Sequence, residues 1–477
     1  MPTLREFAGS WSTKNLSNFE AFLDDLHSLT ERIHRLMGDY KVEEIHEMTA
    51  KTYREMVVMC NDLRELKELL NAAIRLMEAS SSESARTATY KANNQETLRD
   101  LLQLKALKCA SREILLHSET DAETDIDIYL DGAITVPRCN EIALLDHHNC
   151  RGKVSSAVTS VPQRPRGTLS REGVDHQVWI EWRTAEDLPN GSVQDKQSIL
   201  RTAVLAQMLS LPKPEHFYTP RCTGYIDNRS SQDRFGWIFQ MPKDSNHDTT
   251  LETLVGMLGQ HMYKPMLSQR IAIAWKLASS LSYLHTTDWL HTGVHSGNVL
   301  FQCDGDKIDM ENPIMSGFGY SRPQSTKTTT RSLDPRWDIY RWPTIQNDVP
   351  KEGMSRNTYD IYSFGLLLLE IAHWQPLRKL LCLKKLPAPS TQDCRIRGWL
   401  LNEEPLPPFR KEHPLAELRN IAGDRYWKTT MHCLVAHGEG GMRVTEAVSQ
   451  SQGSGIELQL QDAFTDFVVN ELKGVSI

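Results

Sequence analysis

The stretch Trp289 to Phe301, WLHTGVHSGNVLF, places two histidines, two glycines and one asparagine in a polar turn between apolar flanks. A loop histidine titrates near pH 6.5 and can act as a general base, which makes His295 a candidate. The bland reading of His295 is a solvent-facing loop side chain, and that reading is favoured here. Asn298 offers an amide oxygen to a cation, yet asparagine also caps and braces turns. Asp304 and Asp306, in CDGDK, could approach a metal, but their spacing fits a hairpin turn between two strands better. DHHNC (Asp146 to Cys150) contains ligand types and reads as loop. SETDAETDIDIYLD carries six carboxylates (Glu119, Asp121, Glu123, Asp125, Asp127, Asp131) but lacks the central Gly and terminal Glu of a calcium loop. It reads as a solvated acidic connector, and no metal site is expected.

The elements that must position these residues follow from periodicity. Phe19, Phe22, Leu26, Leu29, Ile33 and Leu36 step by three and four, as do Met56, Met59, Leu63, Leu66, Leu70, Ala73 and Met77; a weaker stripe covers Leu98 to Ile114. Such stripes must bury against one another, so residues 1–118 are expected to form a helical bundle or antiparallel coiled coil. Residues 119–164 read as an interdomain linker, their end falling within the basic, Ser/Pro-rich stretch RGKVSSAVTSVPQRPRGTLSR (151–171). From about Gln177 short strand patterns appear (QVWIEWRTA, CTGYIDN, RFGWIFQMP), and from Leu251 mainly helical ones (SQRIAIAWKLASSLSYLHTT, YDIYSFGLLLLEIAHW, DRYWKTTMHCLVAHG, ELQLQDAFTDFVVNELKGV). A strand-rich part over about 165–245 and a helical part over about 246–477 make an α+β, two-lobed arrangement behind an all-α region.

Composition narrows the function classes. The chain of 477 residues has 40% apolar and 24% charged residues and a net charge of −7, which argues against a nucleic-acid binder working by whole-surface attraction. Nine cysteines without a CxxC pair read as reduced thiols of an intracellular protein. The N-terminus lacks a secretory pattern, and FGLLLLEIA is about half a membrane span. A cytoplasmic location is expected, with peripheral membrane contact left open.

In order and spacing, several motifs resemble the protein kinases over about 300 residues. The kinase catalytic loop is H-R-D-L-x-x-x-N. Aligned on Asn298-Val299-Leu300, His291 matches its His, Thr292 its Arg and Gly293 its Asp, with His295 where a Lys usually sits. In MSGFGYSR, Phe318 and Gly319 match D-F-G and Gly317 replaces the magnesium-binding Asp. YRWPT keeps Pro343 of A-P-E, and YDIYSFGLLLLEIA supplies Asp360, Ser363 and Gly365 of the large-lobe core helix. The resemblance gives Asp360 a structural role, bonding the catalytic-loop backbone from below. The strand Lys that grips nucleotide phosphates is absent, with Arg183 or Glu181 in its place depending on register. No G-x-G-x-x-G precedes that strand, and no carboxylate lies between Asp195 and Glu215 to pair with a Lys.

On this alignment the machinery of phosphoryl transfer is lost, since that reaction relies on positioning and charge neutralisation. The resemblance therefore implies a pseudokinase, with Arg183 and Asn298 as the residues left to touch a nucleotide; ATP stays open as a ligand, with weak or absent magnesium. In VWIEWR … GFGYSRP … YRWPT … DIYSFGLLLLEIA the chain is similar to degenerate kinase-like domains of filamentous fungi. FAGSWSTKNLSNFEAFLDDLHSL resembles the later helices of a HeLo domain, with Trp11, Lys14 and Phe19 spaced as in that family and Met1 falling inside it. The combined architecture is similar to the mixed-lineage kinase domain-like proteins. It implies a signalling switch or scaffold governing a helical effector in cell death or incompatibility, with protein partners, self-association through residues 1–118 and no nucleic acid. Two alternatives stand beside it: an atypical active kinase using His295 and Asn298, and an oligomeric helical scaffold.

Overall fold

The computed structural model describes residues 51–52, 54–58, 98–106, 143–144, 164–171, 173–184, 193–227, 234–242, 245, 248–260, 263–323, 335–346, 356–383, 395–401, 413–436, 441–442 and 453–475. The stripe Phe19 to Leu36, most of the other two, the acidic connector and DHHNC lie outside them. The described residues form an α+β structure.

Strands β1 (Ala143–Leu144), β2 (Arg166–Arg171), β3 (Val174–Thr184), β4 (Cys222–Asp227) and β5 (Arg234–Gln240) form an antiparallel sheet in the order β1-β2-β3-β5-β4. Alternation along β3 sends Val178 and Ile180 to one face, where they pack with Leu169, Ile226 and Ile238. Trp179, Glu181 and Arg183 take the other. Helix α1 (Val193–Ser210) packs on β4, and the Trp237 indole N–H donates to the Thr202 carbonyl at 3.1 Å. The stretch expected to be linker thus contributes β1, which pairs Ala143 with Thr168. Its last residue, Arg164, belongs to the site described below.

The rest is mainly helical. Helix α2 (Leu267–Thr286) leads through β7 (Trp289–Leu290) into the polar turn, which leaves along β8 (Val299–Asp304). Strand β8 pairs with β6 (Thr250–Thr253), β9 (Lys307–Ile308) and β10 (Ile314–Met315). Asp304 lies opposite Lys307, so Gly305 and Asp306 form a two-residue hairpin loop, with Gly305 at φ +61°. The hairpin reading of CDGDK is the one the backbone takes, and Asp304 accepts a bond from Thr249.

Helix α3 (Asn357–His373) is apolar almost all round and correspondingly buried along its length. A Cβ on Gly365 would stand 2.8 Å from Cys433 Cβ, so this glycine lets α3 cross α4 (Pro414–Leu434) closely. The C-terminal part runs through α5 (Gly453–Phe464), a π-helical turn (Thr465–Val469) and α6 (Asn470–Val475).

Glu370 on α3 anchors the segment 335–346. Its Oε1 accepts from the Tyr340 hydroxyl at 2.6 Å and from the Leu377 N–H at 2.5 Å. Burial pushes its carboxyl up from 4.5 to about 7, with those two bonds acting in the opposite sense. A carboxyl raised on folding binds its proton more tightly in the native state, so its contribution is present below pH 4.5 and lost as pH rises through 7. Glu370→Gln is therefore expected to be the more stable form at pH 8, by roughly 3 kcal/mol at most. Thermal unfolding of both proteins from pH 5 to pH 8 checks it; parallel pH profiles would count against it.

Candidate functional site

The polar turn is fixed from below by one carboxylate. Asp360 Oδ2 accepts from the His291 backbone N–H at 2.7 Å and Oδ1 from the Thr292 N–H at 2.8 Å. Those bonds hold Thr292 at φ +57°, a left-handed conformation unfavourable for a β-branched residue. The Thr292 hydroxyl then donates to the Tyr320 carbonyl at 2.7 Å, and Ser321 Oγ to the His291 carbonyl at 2.9 Å. Buried Phe318 packs its ring 4.7 Å from that of His291. Ser363 Oγ donates to the Tyr340 carbonyl at 2.8 Å, tying the start of α3 to the segment that contains Pro343. Asp360, Ser363, Gly365, Phe318 and His291 are all occupied in building the frame.

At the centre of that frame stands Arg164. Its Nε donates to Glu181 Oε1 at 2.8 Å, Nη1 to the Gly297 carbonyl at 3.2 Å, and Nη2 to Asn298 Oδ1 at 2.9 Å and Ser316 Oγ at 3.0 Å. The other Glu181 oxygen accepts from the Gly317 N–H at 3.0 Å. Arg164 and Glu181 side chains are only 7% and 8% exposed, so this is a buried, multiply bonded ion pair. The registers open in the sequence resolve here. Glu181 points inward to Gly317, and Arg183 lies further out, its guanidinium 5.3 Å from the Tyr320 ring.

One donor-only group orders the hydrogens around it. A guanidinium cannot accept, so the Asn298 oxygen is the atom facing Arg164. Asn298 Nδ2 therefore donates, to the Gly293 carbonyl at 2.9 Å and to His295 Nε2 at 3.0 Å. His295 must then be neutral with its proton on Nδ1. Burial, then the charges of His291, Arg164, Arg341 and Arg336, hold its imidazole well below the usual range. The ring is 7% exposed and stacks on Trp337 with centroids 4.0 Å apart at 9°. The expectation of a solvent-facing histidine is thus overturned, because the Trp337 indole covers it. A Cβ on Gly297 would meet that indole at 2.5 Å, which explains the glycine. With its Nε2 lone pair held by Asn298, His295 has no free basic atom to offer a substrate.

The two glycines at acid positions differ. A Cβ on Gly293 would stand 3.2 Å from Asn298 Nδ2 and from the Gly317 carbonyl, tight but open to a small adjustment. Gly317 sits at φ +82°, and a Cβ there would overlap the Asn298 side-chain amide. No side chain fits at 317 while Asn298 binds Arg164. At Gly319 a Cβ would meet only ordinary contacts, the nearest 3.6 Å from Arg183 Cβ.

Magnesium therefore does not fit these residues. Asn298 Oδ1 and both Glu181 oxygens already accept protein hydrogen bonds, and among the described residues no group of three His, Cys, Asp or Glu side chains could hold a metal. The kinase strand signature V-A-I-K reads here V-W-I-E, Val178 to Glu181. Trp179 replaces the small Ala on the face it shares with Glu181, is 1% exposed and packs 5.3 Å from Phe239. An indole fills the space a methyl would leave.

Three participants were not singled out from sequence. Arg164 lay in a basic, Pro-rich run that carries no periodic signal. Trp179 could have been found by aligning VWIE on the strand signature. Trp337 lies between the motifs MSGFGYSR and YRWPT, outside both, and gave no signal. Residues 249–385 match the family model described as protein tyrosine and serine/threonine kinase, which supports a protein kinase-like domain over that part of the chain.

Proposed function

We propose that this kinase-like domain is a pseudokinase that works as a signalling switch or scaffold. The observation that carries the reading is the Arg164 guanidinium, which binds Glu181, Asn298 and Ser316 where a kinase needs its metal and phosphates. A positive charge already supplied by the protein leaves no role for magnesium there. The alternative of an active, atypical kinase needs His295 or Asn298 for chemistry, and both are spent on one another and on Arg164.

The test is binding and transfer with the full chain. No magnesium-dependent ATP binding is expected in calorimetry, and no labelling of the protein or of a generic substrate. Gly317→Asp, the change that nominally restores a metal ligand, is expected to destabilise the fold by roughly 1–3 kcal/mol through its positive φ and its clash with Asn298, and to restore no magnesium binding. Metal-dependent ATP binding by the natural chain would end the pseudokinase reading.

As a switch, the domain would govern the N-terminal helical region. Two contacts support this. Lys105 lies wholly buried against Asp288 at 3.4 Å, three residues before His291. Lys51 lies 4.0 Å from Asp462 and 3.6 Å from Asp466. On the HeLo resemblance the governed region is a cell-death or incompatibility effector, acting through protein partners, self-association of residues 1–118 or peripheral membrane contact. Among the described residues no helix is long and apolar enough to cross a membrane. Self-association without any change on release of the domain would favour the scaffold alternative.

A further inference from the structure

We infer that the Glu370–Tyr340 contact is a proton-controlled latch on the mouth of the cleft. With the carboxyl neutral it holds residues 335–341 over the polar turn, and on ionisation it lets them open. The carboxyl sits where its charge has no support. Glu370 is 0% exposed, and its Oε2 is buried without a hydrogen-bond partner. Oε1 takes two donors, the Tyr340 hydroxyl at 2.6 Å and the Leu377 N–H at 2.5 Å. Among the described residues no cation stands against it. The groups packed around α3 bond elsewhere. From α2, Arg270 donates to the Ala372 carbonyl; from α4, the Tyr426 hydroxyl donates to the Leu368 carbonyl at 2.9 Å, and Glu417 lies 3.9 Å from His373. In the segment itself Arg341 pairs with Asp338 at 3.0 Å. Tyr340 is the titratable group that meets the carboxyl, and burial, then Glu370, holds its phenol well above the ordinary range, so it stays a donor. From the polar turn come the Ser296 hydroxyl, 3.3 Å from that of Tyr340, and the neutral His295.

Tyr340 fastens a stretch that covers the turn. Trp337 lies flat on His295 with centroids 4.0 Å apart, and Trp337 and Tyr340 line a cavity of about 230 Å³ beside the turn. Trp342 sets the hinge: it stacks on Tyr359 at 5.7 Å and 7° and meets Tyr362 edge-on at 5.2 Å, which keeps residue 342 on α3 when 335–341 lift. The Ser363 hydroxyl does not oppose the motion. It has one hydrogen and two carbonyls in reach, Tyr340 at 2.8 Å and Tyr359 at 2.9 Å, so it keeps a bond after Tyr340 leaves. Ile339, 5% exposed, makes the open form a minor one. Opening brings water to Oε2, which an ionised carboxyl requires. The direction follows from burial, which raises the carboxyl from 4.5 to about 7. The closed form binds the proton more tightly than a hydrated open form. Closure is therefore at full strength below pH 4.5, weakens as pH climbs through 7, and changes no further once both forms are ionised. Overall stability would depend on pH through Glu370 in any case; the latch places the opening in one segment.

Amide exchange of the full chain, expressed as protection factors so that the intrinsic pH dependence of exchange drops out, tests this. Protection of residues 336–341 is expected to fall about tenfold from pH 6 to pH 8 and to level off above, while residues 357–373 stay protected. Glu370→Gln, a neutral side chain of the same shape, should show no such fall. Tyr340→Phe, which removes the donor and leaves the carboxyl, should open 336–341 already at pH 6. A flat profile in the natural chain, the same fall in Glu370→Gln, or an equal fall across 357–373 overturns the latch. So does a Tyr340→Phe segment as protected at pH 6 as the natural one, which keeps the test decisive even where the Gln variant does not fold.

Discussion

Arg164→Ala is expected to lower the stability of the folded chain by about 3–5 kcal/mol, a large effect for a residue that composition would assign to a linker. The magnitude follows from what is left behind. Glu181 would keep a buried carboxylate with only the Gly317 N–H as partner, and Asn298 and Ser316 would lose a charged donor. An exposed pair would be worth a fraction of this, but at 7% and 8% exposure solvent cannot take over the role of the guanidinium. Removing both charges tests the mechanism. Arg164→Ala with Glu181→Gln should recover more than half of the loss, because no uncompensated ion remains. Denaturation of the four proteins of that cycle gives the coupling directly. A single Arg164→Ala variant within 0.5 kcal/mol of the natural chain, the range of ordinary surface changes, would show that the pair seals nothing. Magnesium-dependent ATP binding is not expected to appear in either variant, since Gly317 still supplies no ligand.

What the sequence made legible divides along physical lines. The α3 helix, YDIYSFGLLLLEIA, was readable because its continuous apolar run marks a buried helix and its Asp360 and Gly365 each do one geometric job that few other residues can do. The three main strands were readable from alternation and β-branched content, and Gly293 and Gly317 from alignment. Arg164 was not, because its role depends on a fold that brings residues 164, 181, 298 and 316 together, and no local pattern encodes that meeting. His295 was misjudged for a similar reason. A polar loop reads as exposed, and only the tertiary placement of Trp337 over its ring makes it buried. The register of β3 was left open by alternation itself, since Glu181 and Arg183 share a face. Pairing of Glu181 with Trp237 fixed it.

Lys105→Met is expected to release the N-terminal helical residues from the large lobe without unfolding it. Lys105 is 0% exposed, and its ammonium is held by Asp288 Oδ2 at 3.4 Å and the Val58 carbonyl at 2.8 Å. One side chain thus joins residues 54–58, residues 98–106 and the turn that enters the catalytic-like loop. Its removal takes the Lys105 ammonium away from the 5%-exposed Asp288, costing about 3–5 kcal/mol. Two outcomes compete: global unfolding, or local detachment. Detachment should win, because the Lys105 ammonium bonds Val58 and Asp288 rather than any residue of the α3–α4 core, so its loss falls first on residues 54–58 and 98–106. Leu104 is the residue of that segment that joins the main core. Amide exchange in residues 98–106 should therefore rise about 100-fold, the equivalent of about 3 kcal/mol, while residues 357–373 stay protected. Asp288→Asn should act in the same direction, leaving a buried ammonium instead, and the backbone at φ +57° tolerates Asn. Pairing the two changes should restore much of the protection. Unchanged exchange in 98–106 for both single variants would mean that this ion pair does not hold the helices, and the switch would have to be sought elsewhere in the interface.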